Sequence, residues 1–284
     1  SQRMTSLPHL SLRRLILFCA VFCSAPAAAT WSIVAVDPTT REVGLAAATC
    51  NPGVQFVAAV VPGAGVVAAQ AETSFTGRER ARAWIADGIP AREILQRLSD
   101  PELYSGWFNA KFPDLQYGVA TLNDGPQAGH TGGDNLIPWS GGRSAITYSV
   151  QGNTLRGEGV VTAAASAFLQ QETDVCRLAL GERLLRALEA GRDAGGDKRC
   201  PESRPAISAI LIVASESADP DRPEASTEFL RLITPREISL LRAAYHAVVP
   251  YEPGENAAEP VRQLRDSYEA AGGRRCLMET RRES

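Results

Sequence analysis

From residue 31 onward the chain opens as short apolar stretches separated by turn residues. Residues 31–36 and 43–48 flank Asp37-Pro38-Thr39-Thr40, the pattern of a β-hairpin. Residues 54–61 and 65–71 continue it as strands around Pro62-Gly63-Ala64. Their side chains are mostly Ala, Val and Gly, which suits sheets packed closely on another layer. The apolar period then lengthens. Residues 77–87 put Ala81, Trp84 and Ile85 on one helical face, and Pro90 opens a second helix with Ile94, Leu95 and Leu98. Residues 117–122 predict a strand closed by the turn Asn123-Asp124-Gly125. Residues 145–150 predict another, interrupted by Gly152-Asn153. Helices are expected at 160–170 and at 175–189, the latter with Leu178, Leu184, Leu185 and Leu188 apolar. Residues 206–214 are almost wholly apolar and predict a central strand. From Phe229 the chain is more charged and helical, with a break at Pro253-Gly254-Glu255 before a last helix at about 259–271.

This order is strands, helices, strands, helices, strand. It lacks strict βαβ alternation, and no Gly-x-Gly-x-x-Gly follows the first strand. Two sheets with helices outside them account for the pattern better, an α+β class. No internal repeat is present. One domain over 30–284 is expected, with a small helical appendage after about residue 220.

The N-terminus changes the picture. Arg13 and Arg14 precede an apolar run at 15–22, followed by Ser24-Ala25-Pro26-Ala27-Ala28-Ala29. A basic region, an apolar core and an Ala-x-Ala signal in that order predict a signal peptide over 1–29, with cleavage leaving Thr30 first. The alternative, an uncleaved anchor, needs a longer run than this one. Export makes the expected location secreted or periplasmic, with no integral membrane segment after processing. The 284-residue chain carries a formal charge of −3; without the leader's three arginines, 26 basic residues face 32 acidic ones, a charge of −6. Bulk charge of that sign does not attract polyanions, so nucleic acid is not an expected partner. Cys50, Cys176, Cys200 and Cys276 remain after processing. Export permits disulfides. The pair Cys176–Cys200 flanks a helix and a Gly-rich loop and is favoured, with Cys50–Cys276 as the other; free buried cysteines stay open.

Candidate chemistry centres on Thr30. A threonine hydroxyl is a weak nucleophile and needs a base. A free α-amine, with a pKa of about 7.7–8.0, supplies one on the same residue. Thr30 is otherwise an ordinary first residue. Gly129-His130-Thr131-Gly132-Gly133-Asp134-Asn135 reads as a polar loop. His130 or Asp134 could orient the amine or the substrate there, or the loop is only a tight turn. Gln151 and Asn153 carry amide N–H groups suited to an oxyanion, or form an Asx-type turn. Gln70, Glu72, Trp139 and Asn135 are candidate substrate contacts along a cleft wall. Gly195-Gly196-Asp197-Lys198-Arg199 could place a charge pair at the cleft rim or be a solvated loop, and composition favours the loop. Only His130 and His246 follow the leader. No metal site and no cofactor are therefore expected. No Gly-x-Ser-x-Gly elbow supports a serine triad.

Several of these segments together resemble the DUF1028 family, which is placed in the Ntn-hydrolase-like superfamily. They are Thr30-Trp31-Ser32-Ile33-Val34-Ala35 with Asp37, Glu42-Val43-Gly44-Leu45-Ala46, Gln70-Ala71, His130-Thr131-Gly132, Trp139-Ser140-Gly141, the run from Tyr148 to Leu155, Gly195-Gly196-Asp197-Lys198-Arg199 and Glu259-Pro260-Val261-Arg262-Gln263-Leu264. The resemblance implies a four-layer αββα sandwich and Thr30 as the nucleophile of an amide hydrolase working through an acyl-enzyme. A small-molecule or peptide-like amide would be the substrate, and oligomer formation is left open. The chain departs from proteasome-like members in having no acid in residues 45–50 and no lysine before Lys111. Relatives often carry a cysteine where Asp134-Asn135 stands, and continue through Gly where this chain has Cys200. A non-catalytic binding module on the same fold is the alternative function.

Overall fold

Strands β1 (Thr30–Asp37) and β2 (Glu42–Thr49) form the expected hairpin, paired in register from Thr30 opposite Thr49 to Asp37 opposite Glu42. The structure, a computed structural model, describes residues 30–71, 75–104, 112–123, 125–132, 138–170, 176–216, 245–249 (backbone), 258–270, 272–273 and 276–277. The proposed leader, Glu72, Asp134 and Asn135 lie outside them, as does the stretch around Phe229.

The remaining strands are β3 (Ala58–Val61), β4 (Gly65–Ala71), β5 (Leu115–Thr121), β6 (Ala128–Thr131), β7 (Trp139–Ser144), β8 (Tyr148–Leu155), β9 (Ser208–Ala214) and β10 (Tyr245–Val249). They make two antiparallel sheets, one of six strands in the order β10-β9-β2-β1-β8-β7 and one of four in the order β3-β4-β5-β6. Among the described residues there are five helices: α1 (Phe75–Ala86), α2 (Ala91–Leu98), α3 (Gly159–Leu169), α4 (Leu180–Asp193) and α5 (Pro260–Ala270). The class is mixed α and β.

Alternation along each strand sorts side chains to two faces. On the six-stranded sheet Trp31, Ile33, Val150 and Leu211 pack against Phe168, Leu184, Leu188 and Leu264 of α3, α4 and α5. On the four-stranded sheet Val67, Ala69 and Tyr117 pack against Ile85 and Ile94 of α1 and α2. The remaining faces meet each other through Val34, Val36, Leu45, Val66, Ala120, Ile210 and Ile212. The described residues after 220 belong to this body: β10 pairs with β9, and Val261 and Leu264 of α5 join the helix-side core.

Several segments differ from the sequence reading. Residues 139–144, given no element there, form β7. The helix expected at 175–189 begins at Leu180, leaving Leu178 ahead of it. Residues 245–249, within the stretch expected to be helical, form β10. Residues Val54–Val57 form a 3-10 turn, and only Ala58–Val61 is strand. The glycine-rich stretch expected to be a loop contributes β6, paired with β5 so that Gly129 faces Gly118. Those two glycines admit side chains between the sheets: a Cβ on Gly118 would meet the Gln151 carboxamide at 2.2 Å, and one on Gly129 would meet Ser149 Oγ at 2.7 Å. Finally, β8 runs through Gly152-Asn153 and bends only at Thr154, whose φ is +49°.

The cysteine pairing is corrected. Cys50 lies at disulfide distance from Cys200, with Cα atoms 5.8 Å apart, and Cys176 from Cys276, at 5.7 Å. Helix α4 separates Cys176 from Cys200, and its 14 residues span about 21 Å at 1.5 Å per residue. The segment after α4 returns to the end of β2, whereas Cys276 lies beside the segment before α4, bridging Leu178. Non-reducing peptide mapping is expected to recover Cys50–Cys200 and Cys176–Cys276. Losing either by Cys→Ala should lower stability by about 2–4 kcal/mol, read by chemical denaturation.

Candidate functional site: the polar end of the inter-sheet space

The facing surfaces of the two sheets change character along the strands. On β1 the inward positions read Thr30, Ser32, Val34, Val36, and on β9 they read Ser208, Ile210, Ile212, Ala214. On β4 they read Val66, Ala68, Gln70 and on β5 Gln116, Gly118, Ala120. The polar members gather at one end, with Ser149, Gln151 and Asn153 of β8 beside them. Every one of these polar side chains is at most 1% exposed. Buried polar groups on this scale need partners, and nearly all have them.

The partners form a directional network. Gln116 Nε2 donates to Gly152 O at 2.9 Å, to Gly141 O at 3.4 Å and to Thr131 Oγ1 at 2.8 Å. Backbone carbonyls accept only, so this nitrogen is fixed and Gln116 Oε1 faces the other way. That oxygen accepts from Gln70 Nε2 at 2.6 Å and Asn153 Nδ2 at 3.0 Å. Gln70 Nε2 is itself fixed by donating to Thr30 O at 3.3 Å, and Gln70 Oε1 accepts from Ser32 Oγ at 2.7 Å. Gln151 Nε2 donates to Ser32 Oγ at 2.6 Å and Ser32 O at 3.3 Å, while Gln151 Oε1 accepts from Ser149 Oγ at 3.0 Å. Asn153 Oδ1 is the exception, buried with no hydrogen-bond partner.

Thr30 sits at this end, 1% exposed, flanked in register by Thr49 on β2 and Asn153 on β8. Its Oγ1 donates to Thr49 Oγ1 at 3.2 Å. On the opposite face of β1, Trp31 locks the strand to α4: its Nε1 donates to Leu188 O at 3.3 Å, and a Cβ on Gly191 would come within 2.7 Å of that ring.

The segment after α4 crosses the same end. Asp197 bridges to Leu155 beyond Asn153, and its Oδ2 accepts from Cys50 N, beyond Thr49, at 2.7 Å. Asp197 is fully buried and paired with Arg199 at 2.9 Å. Asp197 is therefore a buried, ion-paired clamp around the two strands flanking Thr30, while the neighbouring Lys198 stays exposed. Burial explains why composition misled: an Asp in a Gly-Gly-Asp-Lys-Arg run reads as solvent-facing until its backbone and guanidinium donors are seen.

The structure brings together Thr30, Gln70, Gln151 and Asn153 and separates two other candidates from them. His130 opposes Tyr117, so its ring lies on the helix-facing side of the four-stranded sheet, stacked on Phe112 at 3.8 Å between centroids. Its Nε2 donates to Phe112 O at 3.2 Å. Its neighbour Thr131 takes the inward position. Trp139 packs against the helix-side core of the other sheet. Neither ring faces Thr30. Ser32, Gln116, Thr131 and Ser149 are the residues that sequence reasoning missed, and Asp197 enters it only within a run for which composition favours a solvated loop. The first four stand at inward positions, on faces that turn apolar farther along β1 and β5 and on a β8 face that is polar at 149, 151 and 153, a signal that counting alternate positions would have found. Two surface grooves, about 770 Å³ lined by Trp84, Arg92 and Gln96 among others and about 530 Å³ lined by Glu182, Arg186 and Arg265 among others, lie on the helical layers away from Thr30. The inter-sheet end is preferred because it gathers buried polar side chains around Thr30, whereas the buried carboxylate of the second groove, Glu182, is held by Arg186 and Arg265.

The family model described as a family of unknown function (DUF1028) matches residues 30–229. The chain belongs to the DUF1028 family. A Silicibacter pomeroyi protein of known crystal structure, also assigned to DUF1028, is 23% identical, with a TM-score of 0.61 over 86% of this chain and 89% of its own. At that identity the likeness speaks for the fold alone. No curated protein matches this DUF1028 chain. Among its described residues no helix is long and apolar enough to cross a membrane, and no group of three or more His, Cys, Asp or Glu could hold a metal ion.

Two outcomes follow for this DUF1028 protein. Gln116→Leu, of similar size, leaves buried donors and acceptors without partners and should cost on the order of 3 kcal/mol in denaturant unfolding. Burial lowers the His130 pKa below 6.5, against a smaller opposing effect of the Phe112 carbonyl. The unfolded chain then binds the proton more readily, so His130's contribution is whole above pH 6.5 and lost as pH falls through and below it. His130→Gln should flatten that part of the stability profile.

Proposed function

We propose that this protein is an exported N-terminal-threonine amidohydrolase acting on a small amide, built as a four-layer αββα sandwich of the Ntn-hydrolase-like kind. One observation carries it: the residue that cleavage after Ala29 would free stands with its side chain inward at the polar end of the inter-sheet space. The family match beginning at residue 30 and the disulfide-distance cysteine pairs agree with a processed, exported chain.

The chemistry follows from that placement. The Thr30 hydroxyl turns from Thr49 to the substrate, and its oxygen attacks the amide carbon while its proton passes to the Thr30 amine. The tetrahedral oxyanion needs an N–H donor. Gln151 has both amide hydrogens on Ser32, whereas Asn153 Nδ2 holds one hydrogen beyond its bond to Gln116. Asn153 is therefore the better donor of the two. The amine returns the proton to the leaving nitrogen as the C–N bond breaks, leaving an ester on Thr30. Water, deprotonated by the same amine, cleaves that ester and restores the hydroxyl. His130 takes no part, since its ring faces away from Thr30.

A second reading, a non-catalytic exported binding protein on the same fold, draws on the near-complete cover of Thr30. Turnover separates the two. Secreted protein should begin at Thr30 by intact mass and hydrolyse a panel of fluorogenic amides, and Thr30→Ala should lose at least about 10³-fold in kcat/KM. Equal turnover by Thr30→Ala contradicts the hydrolase reading.

A further inference from the structure

We infer that the side-chain oxygen of Asn153 is the acceptor that holds the freed Thr30 amine, making Asn153 a positioning residue. The inference rests on Thr30 becoming the first residue, as the proposed function requires, but not on catalysis.

The orientation of the Asn153 carboxamide is not arbitrary. Gly152 O and Gly141 O hold the nitrogen of Gln116, Gln116 then presents its oxygen, and that oxygen calls for the nitrogen of Asn153. The Asn153 oxygen is consequently turned away from the network, fully buried and without a partner. A carbonyl oxygen left bare in a dry site costs about 1–3 kcal/mol. Something at this end should be there to meet it.

Thr30 is the register partner of Asn153, and both side chains point between the sheets. Directly opposite antiparallel residues have Cβ atoms roughly 5 Å apart, within reach of a carboxamide. A peptide N–H at residue 30 offers one hydrogen, but a freed ammonium offers three. Cleavage thus creates two new donors beside a bare acceptor. The orphan acceptor has its use only after processing. The other groups at this end are committed: Gln70 and Gln116 are neutral and bonded to each other, and Asp197 is paired with Arg199 and bonded to the Cys50 N–H. Of the charged side chains next along that clamp, Lys198 is exposed, and Arg156 is bonded to Gly195 O and Cys200 O. A neutral acceptor suits the chemistry, because a carboxylate in its place would hold the amine protonated and unable to act as a base.

The test uses chain from Thr30 onward, released from a removable fusion; every described element lies in this part. The Thr30 α-amine is titrated by ¹⁵N NMR in protein labelled at threonine, with thermal unfolding as the check on folding. Asn153→Asp is expected to raise the amine pKa by about one unit or more. Asn153→Ala is expected to lower it. A purely structural Asn153 would alter stability and leave the titration in place. Folded variants with an amine pKa equal to the parent's overturn the assignment, and Asn153→Ala decides the matter if Asn153→Asp fails to fold. An amine that follows residue 153 in a protein that never turns over an amide supports this assignment while sinking the hydrolase reading.

Discussion

The carboxamide of Gln116 joins the two sheets at the point where their interface stops being apolar. Its nitrogen is anchored on backbone of the six-stranded sheet, and its oxygen gathers Gln70 from its own sheet and Asn153 from the other. Hydrophobic contact holds the sheets together at the far end, where Val34, Leu45, Val66 and Ile210 meet without direction. Directional bonds take over at the near end, where each amide is oriented by the next. A network of this kind tolerates one arrangement, since turning Gln116 sets buried donors against donors and turning Gln70 or Asn153 sets a buried oxygen against an oxygen.

That constraint also explains the supporting parts. Gly118 and Gly129 must be bare for Gln151 and Ser149 to occupy the space between the sheets. Trp31 presses β1 against α4 from behind, so the first residue of the strand cannot drift. Asp197 ties the strands on either side of it. Rigid support from three directions around one threonine is what a nucleophile requires, because a small misplacement of a reacting atom weakens catalysis severely.

The hairpin at the start, the helix faces and the apolar strand around Ile210 were legible from periodicity, because each buries one continuous face. The glycine-rich stretch before Asp134 was not. Glycines there read as a turn, whereas Gly129 serves close approach between sheets, a tertiary demand that leaves no local trace. The same limit hid the cysteine pairing, which depends on where α4 returns the chain. Candidate residues were legible as types but not as faces. Gln70, Gln151 and Asn153 sit together because they fall at inward positions, and His130 points outward because its strand register assigns the inward place to Thr131.

The central claim is that Thr30 is a nucleophile made by processing and held at the polar end of the inter-sheet space. A crystal structure of secreted protein soaked with an electrophilic β-lactone tests it most directly. Electron density continuous with Thr30 Oγ1, with the Thr30 amine beside Asn153, is the result expected. An unmodified Thr30 beside a probe bound elsewhere, or secreted protein that retains residues ahead of Thr30, would contradict it.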